Sequence, residues 1–498
     1  MEQKRGILNY NDIEYPFFYE DGILYLLPQN SEIWKKDRRQ ALLSLNNNRN
    51  QEKDEFIKHT CLVGKTNRNK DISFEVSEDC SSDNGFLSFN VLSIYEYQAM
   101  NKEFEEDESG KTIVKEKENK IIALQITGQV IDSLFKPNRV FGSELKFSED
   151  GNKITDIAVS IEDPSPVECG TVSFKNIYVH IYVKATGSYR MYSALPLTSK
   201  SILTCRFSEE VDIGSVKEFL HYLQQCFCYL CRRKNIQLGD ISVLSSIEKK
   251  RLHNFGKFAI FNNHKEEDHV QANERVISID NLGLSFSTLL SWFIADKMSI
   301  SHLPAEIAEV NTFGLDRMIF DFVAFEKTYI HLYPEKEERS EDYLIIKTRV
   351  IEKIEEIKAS ASGRHQKEAA KSLKNAVEKS DNALHIRIKR AIERHKEILD
   401  PFLFHEYGEE YEAAIECICK RMASLRNNIA HGNFGLVIKP ENHTDLHILE
   451  IILYVMRLNK LGLDKKTIQN SILDLFKLNM YIPDDNDVCV FPEEQESN

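Results

Sequence analysis

The stretch Arg426-Asn427-Asn428-Ile429-Ala430-His431-Gly432 gathers a permanent cation, two amides and an imidazole within about two helical turns. An imidazole titrates near neutral pH and can give or take a proton. A guanidinium stays charged and offers a fork of donors to an oxyanion. Such a set suits acid–base chemistry on a substrate that gathers negative charge, with no metal and no cofactor signalled.

Spacing alone carries little. With 22 arginines and 15 histidines in 498 residues, about 0.7 chance matches to Arg-x4-His are expected, and Arg390 to His395 is a second match. Context separates the two. Arg426 is followed by Asn427, and an apolar-small-His-Gly ending closes the motif, whereas Arg390 is followed by Ala391 inside a charge-rich run. The plain alternative for residues 426–432 is a solvated helix terminus with a basic side chain near the negative end of the dipole.

The element that must position the motif is a helix. Tyr411, Ile415, Ile418, Met422, Leu425 and Ile429 recur at steps of four and three, which is one buried face. Gly432 can end that helix in a left-handed conformation. On a straight helix, Arg426 and His431 stand about 140° apart. One chain brings them together only if the helix unwinds near Ala430-His431-Gly432.

Length bounds the rest. A chain of 498 residues, 42% hydrophobic and 29% charged, predicts two or three ordinary globular domains. No apolar run approaches a membrane span and no apolar signal region follows Met1-Glu2-Gln3-Lys4-Arg5-Gly6, so a cytoplasmic protein is expected. Ten cysteines in a chain this long are no disulfide framework. Cys226, Cys228 and Cys231, and equally Cys417 and Cys419, read as buried free thiols on helices. The net charge of −14 opposes general coating of nucleic acid. Residues 347–397 run against it, with 14 Lys or Arg and 8 Asp or Glu, a net of +6.

Along the chain, residues 1 to about 210 read as β-rich. Ile72, Phe74 and Val76 alternate with polar residues, as do Ile122, Leu124 and Ile126; Ile177, Val179, Ile181 and Val183 alternate with Tyr178, His180 and Tyr182. Asp83-Asn84-Gly85, Glu149-Asp150-Gly151-Asn152 and Asp163-Pro164-Ser165-Pro166 mark turns, and Glu103 to Glu108 an exposed acidic loop. A packed helix is expected near 215–234, with Ser215 and Glu218 as capping box and Val216, Leu220, Leu223, Phe227 and Leu230 as its stripe. His264 to Arg275 suit a linker. From about 280 the pattern is helical: a stripe at Phe286, Leu290 and Phe293; another at Met318, Phe322, Phe325, Tyr329 and Leu332, stopped by Pro334; two charged helices over 341–400 parted near Gly363; the motif helix; and two more carrying Leu446 to Met456 and Ile468 to Phe476. The acidic tail from 483–498 suits disorder. The expected class is α+β, with a β-rich domain over 1–270 and an all-α bundle over 280–482.

The Arg-Asn-x3-His motif closing a helix in an all-α C-terminal region resembles the HEPN ribonucleases. The whole layout is similar to the bacterial ApeA anti-phage proteins. The resemblance implies a metal-independent endoribonuclease that halts translation in an infected cell, with transfer RNA as the leading substrate. It assigns Arg426 and His431 to the catalytic positions and Asn427 to the polar one. It also implies a homodimer or larger oligomer through the helical domain, and leaves the N-terminal region either to receive a phage-derived trigger or to restrain the nuclease. In RNA the 2′-hydroxyl can attack its own phosphate while a histidine moves the proton and an arginine holds the phosphorus oxygens. If the +6 segment lines the cleft, Arg387, Lys389 and Arg390 are its RNA-binding side chains. Two other readings stand beside this one: a non-catalytic HEPN-like module that binds a nucleotide or a partner, and a sensor or structural protein whose work lies in the N-terminal sheet.

Overall fold

The computed structural model describes residues 3–482 apart from 12, 28–58, 84–85, 99–101, 107–111, 117–119, 148–153, 191, 193, 248–250, 262–273, 335–340, 380–382 and 433–436. The chain divides into two compact units, Met1–Ile294 with Ala305–Ile307, and Ala295–Pro304 with Ala308–Asn498. Strands dominate the first and helices the second, so the class is mixed α+β.

Six strands of the first unit close on themselves. β1 (Lys4–Tyr10), β2 (Ile13–Glu20), β3 (Ile23–Leu26), β4 (His59–Thr66), β5 (Asp71–Asp83) and β6 (Phe86–Tyr97) pair in the ring β1-β2-β3-β6-β5-β4-β1, always antiparallel. Alternate side chains fill its centre, among them Leu8, Phe17, Leu24, Phe74 and Phe89. Closure leaves the ring no free edge, and the apolar interior is packed as in other small barrels. β1 and β4 approach so closely that a Cβ at Gly6 would stand 2.0 Å from the Lys65 carbonyl oxygen.

The sheet continues beyond β6. β7 (Lys102–Glu106) and β8 (Thr112–Glu116) form a separate hairpin, as do β10 (Phe141–Phe147) and β11 (Ile154–Ile161). β9 (Ile121–Thr127), β12 (Val167–Phe174), β13 (Ile177–Tyr189), β14 (Leu197–Val211), β15 (Asp240–Ile247) and β16 (Arg251–Ile260) extend the barrel sheet in the order β12-β13-β14-β9-β15-β16, with β16 on β6. Short α1 (Gln129–Leu134) follows β9, and α2 (Ile213–Leu230) follows β14. Phe219 of α2 lies edge-on to Phe174 and Phe207, at centroid distances of 5.6 and 5.7 Å. α3 (Ile279–Leu282) and α4 (Ser285–Ile294) complete the unit.

Several expectations need correction. The α2 stripe is buried as read, but the helix begins earlier: Asp212 is the cap, its carboxylate accepting from the Ser215 N–H at 2.8 Å. Glu103 to Glu106 lie in a strand, laddered to β8, instead of a loop. In β9 the alternation breaks: Ala123 and Leu124 are both buried and Ile122 only half-buried. The helix carrying Phe286, Leu290 and Phe293, α4, lies in the first compact unit. The turn at Asn84-Gly85, the turn 149–152, most of the 264–275 linker and the 483–498 tail lie outside the described residues.

The second unit runs α5 (Leu315–Leu332), α6 (Glu341–Ser360), α7 (Arg364–Lys379), α8 (Leu384–Arg394), α9 (Lys396–Tyr407), α10 (Tyr411–Ala430), α11 (Pro440–Lys460) and α12 (Lys465–Phe476). The charged stretch 341–400 thus holds three helices and the start of a fourth, with the first break at Gly363 as read. The motif closes α10, the sixth α-helix of the unit among the described residues. α11 is the central helix, buried on every side from Ile448 to Leu458. An all-round buried helix needs partners for its polar groups. Asp445 accepts from both nitrogens of the Arg421 fork at 2.6 Å and from the Tyr407 hydroxyl at 2.8 Å; Glu450 accepts from Arg317 at 2.7 Å. The Arg421–Asp445 bonds tie α10 to α11 and fix the rotation of the helix that carries the motif.

Candidate functional site

Three helices bring charge together at the motif. α5 buries Phe322, Phe325 and Tyr329; α8 buries Ile388, Ala391 and Ile392; α10 buries Ile418, Cys419, Met422 and Leu425. Glu326, Arg387 and Arg426 each stand next to one of these buried residues in sequence. About 100° of rotation carries each from the core to the rim of its helix. There Arg426 Nη2 lies 3.4 Å from Glu326 Oε2, and Arg387 Nη1 lies 3.7 Å from Glu326 Oε1. One carboxylate is shared by two guanidiniums, so the cluster keeps one net positive charge. The Arg426 side chain is 37% exposed, Glu326 26% and Arg387 15%. At that exposure each ion pair contributes no more than about 1 kcal/mol. Ligand phosphate can therefore replace the carboxylate at small cost.

The helix ends where the motif requires it. His431 is the C-cap, at φ −90° and ψ 4°, and its N–H donates to the Asn427 carbonyl at 3.0 Å. Gly432 takes the left-handed conformation at φ +67°, and its N–H donates to the Ile429 carbonyl at 3.0 Å. His431 is exposed, and its ring has no hydrogen-bond partner among the described residues. Asn427 is exposed as well, with its amide oxygen accepting from Arg426 Nη1 at 3.4 Å. The arginine and the amide thus touch, while the histidine projects from the helix end.

The three basic residues of α8 part company. Arg387 joins Arg426 at Glu326. Lys389, about 200° further round, instead bonds Glu416 at 2.9 Å. That bond raises the Lys389 pKa and lowers that of Glu416. Glu416 stands about 15 Å before Arg426 along α10. Arg390, one turn beyond Arg387, is half-buried. Most of the +6 charge of residues 347–397 is spread along α6 and α7 and paired locally, as in Lys358–Glu355, Arg364–Glu368 and Lys374–Glu355.

The second sequence match sits in a different environment. His395 is 3% exposed, with Nε2 2.6 Å from the Tyr333 hydroxyl and Nδ1 3.3 Å from the Asn459 amide. Burial, aided by the Arg394 charge, lowers its pKa to about 4. It is a neutral core histidine. Cys226, Cys228 and Cys231 are buried, and burial pushes the Cys228 and Cys231 thiols up to about 12 and about 11. Cys419 is buried too, but Cys417, two residues away and so on the other side of α10, is exposed. Among the described residues no group of three or more His, Cys, Asp or Glu is placed to hold a metal ion, and no helix is long and apolar enough to cross a membrane.

Sequence reasoning missed Glu326. It lies in a stripe read only for its apolar members, and its partners come from distant helices; a carboxylate flanking a buried stripe is too common to single out. Comparison with known proteins returns no match, whether to family models, to curated proteins or to solved structures.

Proposed function

We propose that the chain is an endoribonuclease that cleaves by attack of an RNA 2′-hydroxyl on the adjacent phosphate. The observation that carries the reading is the shared Glu326 carboxylate, which sets Arg387 and Arg426 side by side at the end of the motif helix. A scissile phosphate entering there meets two forks of donors, and the charge that grows on its oxygens in the transition state is countered by Arg426. His431, exposed at the helix terminus, moves the proton as acid or base. Asn427 holds the Arg426 fork in place. The resemblance of residues 426–432 to the HEPN motif supplies the RNA substrate, transfer RNA first, the independence from metal and the setting in phage defence. The basis for these is that resemblance, and the geometry is compatible with it.

The direct test incubates the full chain with total RNA in EDTA and analyses the fragment ends. Fragments should carry 2′,3′-cyclic phosphate and 5′-hydroxyl ends, and Arg426→Ala or His431→Ala should abolish them. Products with 5′-phosphates, or activity only with added magnesium, would point to metal-activated water instead. Intact RNA with unimpaired RNA binding would leave a binding module.

A further inference from the structure

The end of the barrel where β1 begins holds a cavity of about 360 Å³. That lies within the ~300–1,000 Å³ of small-molecule sites. Its lining carries five cations, Lys4, Arg5, Arg68, Lys70 and Lys257, against one carboxylate, Glu96. Such a concentration is notable in a chain with net charge −14.

The cations are set by the barrel ladder. Lys4 and Arg5 open β1, and Lys257 of β16 stands directly opposite Glu96 of β6. Arg68 lies in the β4–β5 turn, which is closed by bonds from the Asn69 N–H to the Thr66 carbonyl at 2.9 Å and from the Lys70 N–H to Thr66 Oγ1 at 3.2 Å. The Asn67 N–H donates to the Arg5 carbonyl at 2.9 Å and ties that turn to β1. Asn69 adopts φ +57°, a conformation that asparagine tolerates. Glu96 is engaged by two of the lysines: Lys4 bonds one oxygen and Lys70 lies 3.4 Å from the other. Burial pushes the Glu96 carboxyl up, but these lysines outweigh it and hold it below the usual range. Arg5, Arg68 and Lys257 are exposed and have no carboxylate partner among the described residues.

We propose that this barrel end binds a small polyphosphate, an anion with at least two linked phosphate groups. Three uncompensated cations on fixed strands and a tied turn exceed what one phosphate dianion neutralises. Two arginine forks supply the bidentate donors that phosphate oxygens accept. Among the described residues no aromatic ring lines the cavity, so they offer no stacking platform and the phosphates are read without a base. The site is independent of residues 426–432.

Isothermal titration of the full chain tests it, with inorganic triphosphate, ATP, orthophosphate and a short single-stranded RNA in separate runs at physiological salt. Triphosphate and ATP should bind with similar affinity, at least tenfold tighter than orthophosphate. The Arg68→Ala, Lys257→Ala double variant should lose about tenfold or more, since it removes two charge-assisted donors to phosphate oxygens. Lys120→Ala with Lys136→Ala, outside the cavity, should bind as the parent does. Both side chains of the first pair are exposed, so an unchanged melting midpoint is expected. No heat with millimolar triphosphate, parental affinity in the double variant, or RNA binding that depends on Arg68 and Lys257 while triphosphate does not bind would each overturn the proposal.

Discussion

Arg387 and Arg426, on different helices and distant in sequence, each reach one oxygen of the same carboxylate, Glu326. The acid holds two like charges close together, and on the proposed reading it also occupies the place where a phosphate would bind. Replacing it by its neutral isostere separates these. Glu326→Gln raises the local charge by one, so RNA should bind more tightly at low ionic strength. The salt slope should steepen by about 0.7, the increment for one more phosphate contact on a single strand. Turnover should fall, because Arg426 loses the partner that orients it. Weaker RNA binding by Glu326→Gln in a filter-binding series would reject this role.

The separation of Arg387 from Lys389 gives a second prediction. Arg387→Ala should weaken RNA binding about tenfold and flatten the salt slope, as one phosphate contact is lost. Lys389→Ala should change binding less than threefold by the same reasoning, because its ammonium is committed to Glu416 well away from Arg426. Equal losses in the two variants would mean that the whole of α8, and not only its Arg387 edge, contacts RNA.

What the sequence made legible was local. The α10 stripe, its termination at Gly432 and the aliphatic face of β13 follow from periods of 3.6 and 2, and a single segment contains all the information. Barrel closure is not local: β5 pairs with both β4 and β6, and nothing within β5 says that its two neighbours complete a ring. The break in β9 arises from burial on both faces at Ala123 and Leu124, which a period-2 reading cannot anticipate. Glu326 was hidden for a similar reason, since Phe325 beside it explained that part of α5 as core. Asp212 won the cap of α2 over Ser215 because a carboxylate three residues before the serine N–H accepts directly from it.

His395 supplies a pH dependence. Its folded-state pKa of about 4 lies below the ordinary imidazole value of 6.5. Between those values the unfolded chain binds more protons than the folded one. Stability contributed by the neutral ring is thus fully present above pH 6.5 and is lost as pH falls toward 4. The loss amounts to roughly 3 kcal/mol at most. His395→Gln keeps polar atoms beside Tyr333 and Asn459 but cannot titrate. In denaturant unfolding it should cost stability at pH 7.5, yet lose less than the parent between pH 6.5 and 4. At pH 7.5, cleavage per folded molecule should be unchanged. A variant that keeps the full parental acid sensitivity would remove His395 as its source, and loss of cleavage at unchanged folding would put the catalytic motif in the wrong place.

The last prediction is an active unit of at least two copies, formed through the helical unit. Arg426 is oriented by its own chain, through Glu326, but His431 projects from the helix end with no partner among the described residues. A two-fold axis beside the α10 terminus would set the histidine of one protomer against the arginine of the other, giving two equivalent composite sites with one proton-transfer group and one cation each. Apolar surface for such a contact exists on α6, where Ile346, Val350 and Ile357 recur on one face and are 61%, 41% and 60% exposed. That stripe on an otherwise charged helix is the kind of patch that marks an interface. Light scattering at micromolar concentration should give at least twice the 57.7 kDa chain mass. Ile346→Lys with Ile357→Lys should lower the mass to that of one chain and reduce cleavage in proportion. Mixing a His431→Ala chain with an Arg426→Ala chain should recover part of the activity that neither has alone, because one of the two composite sites then keeps both residues. Full cleavage by a single chain at nanomolar dilution would exclude the shared site, and His431 would then have to turn back to the Arg426 of its own helix.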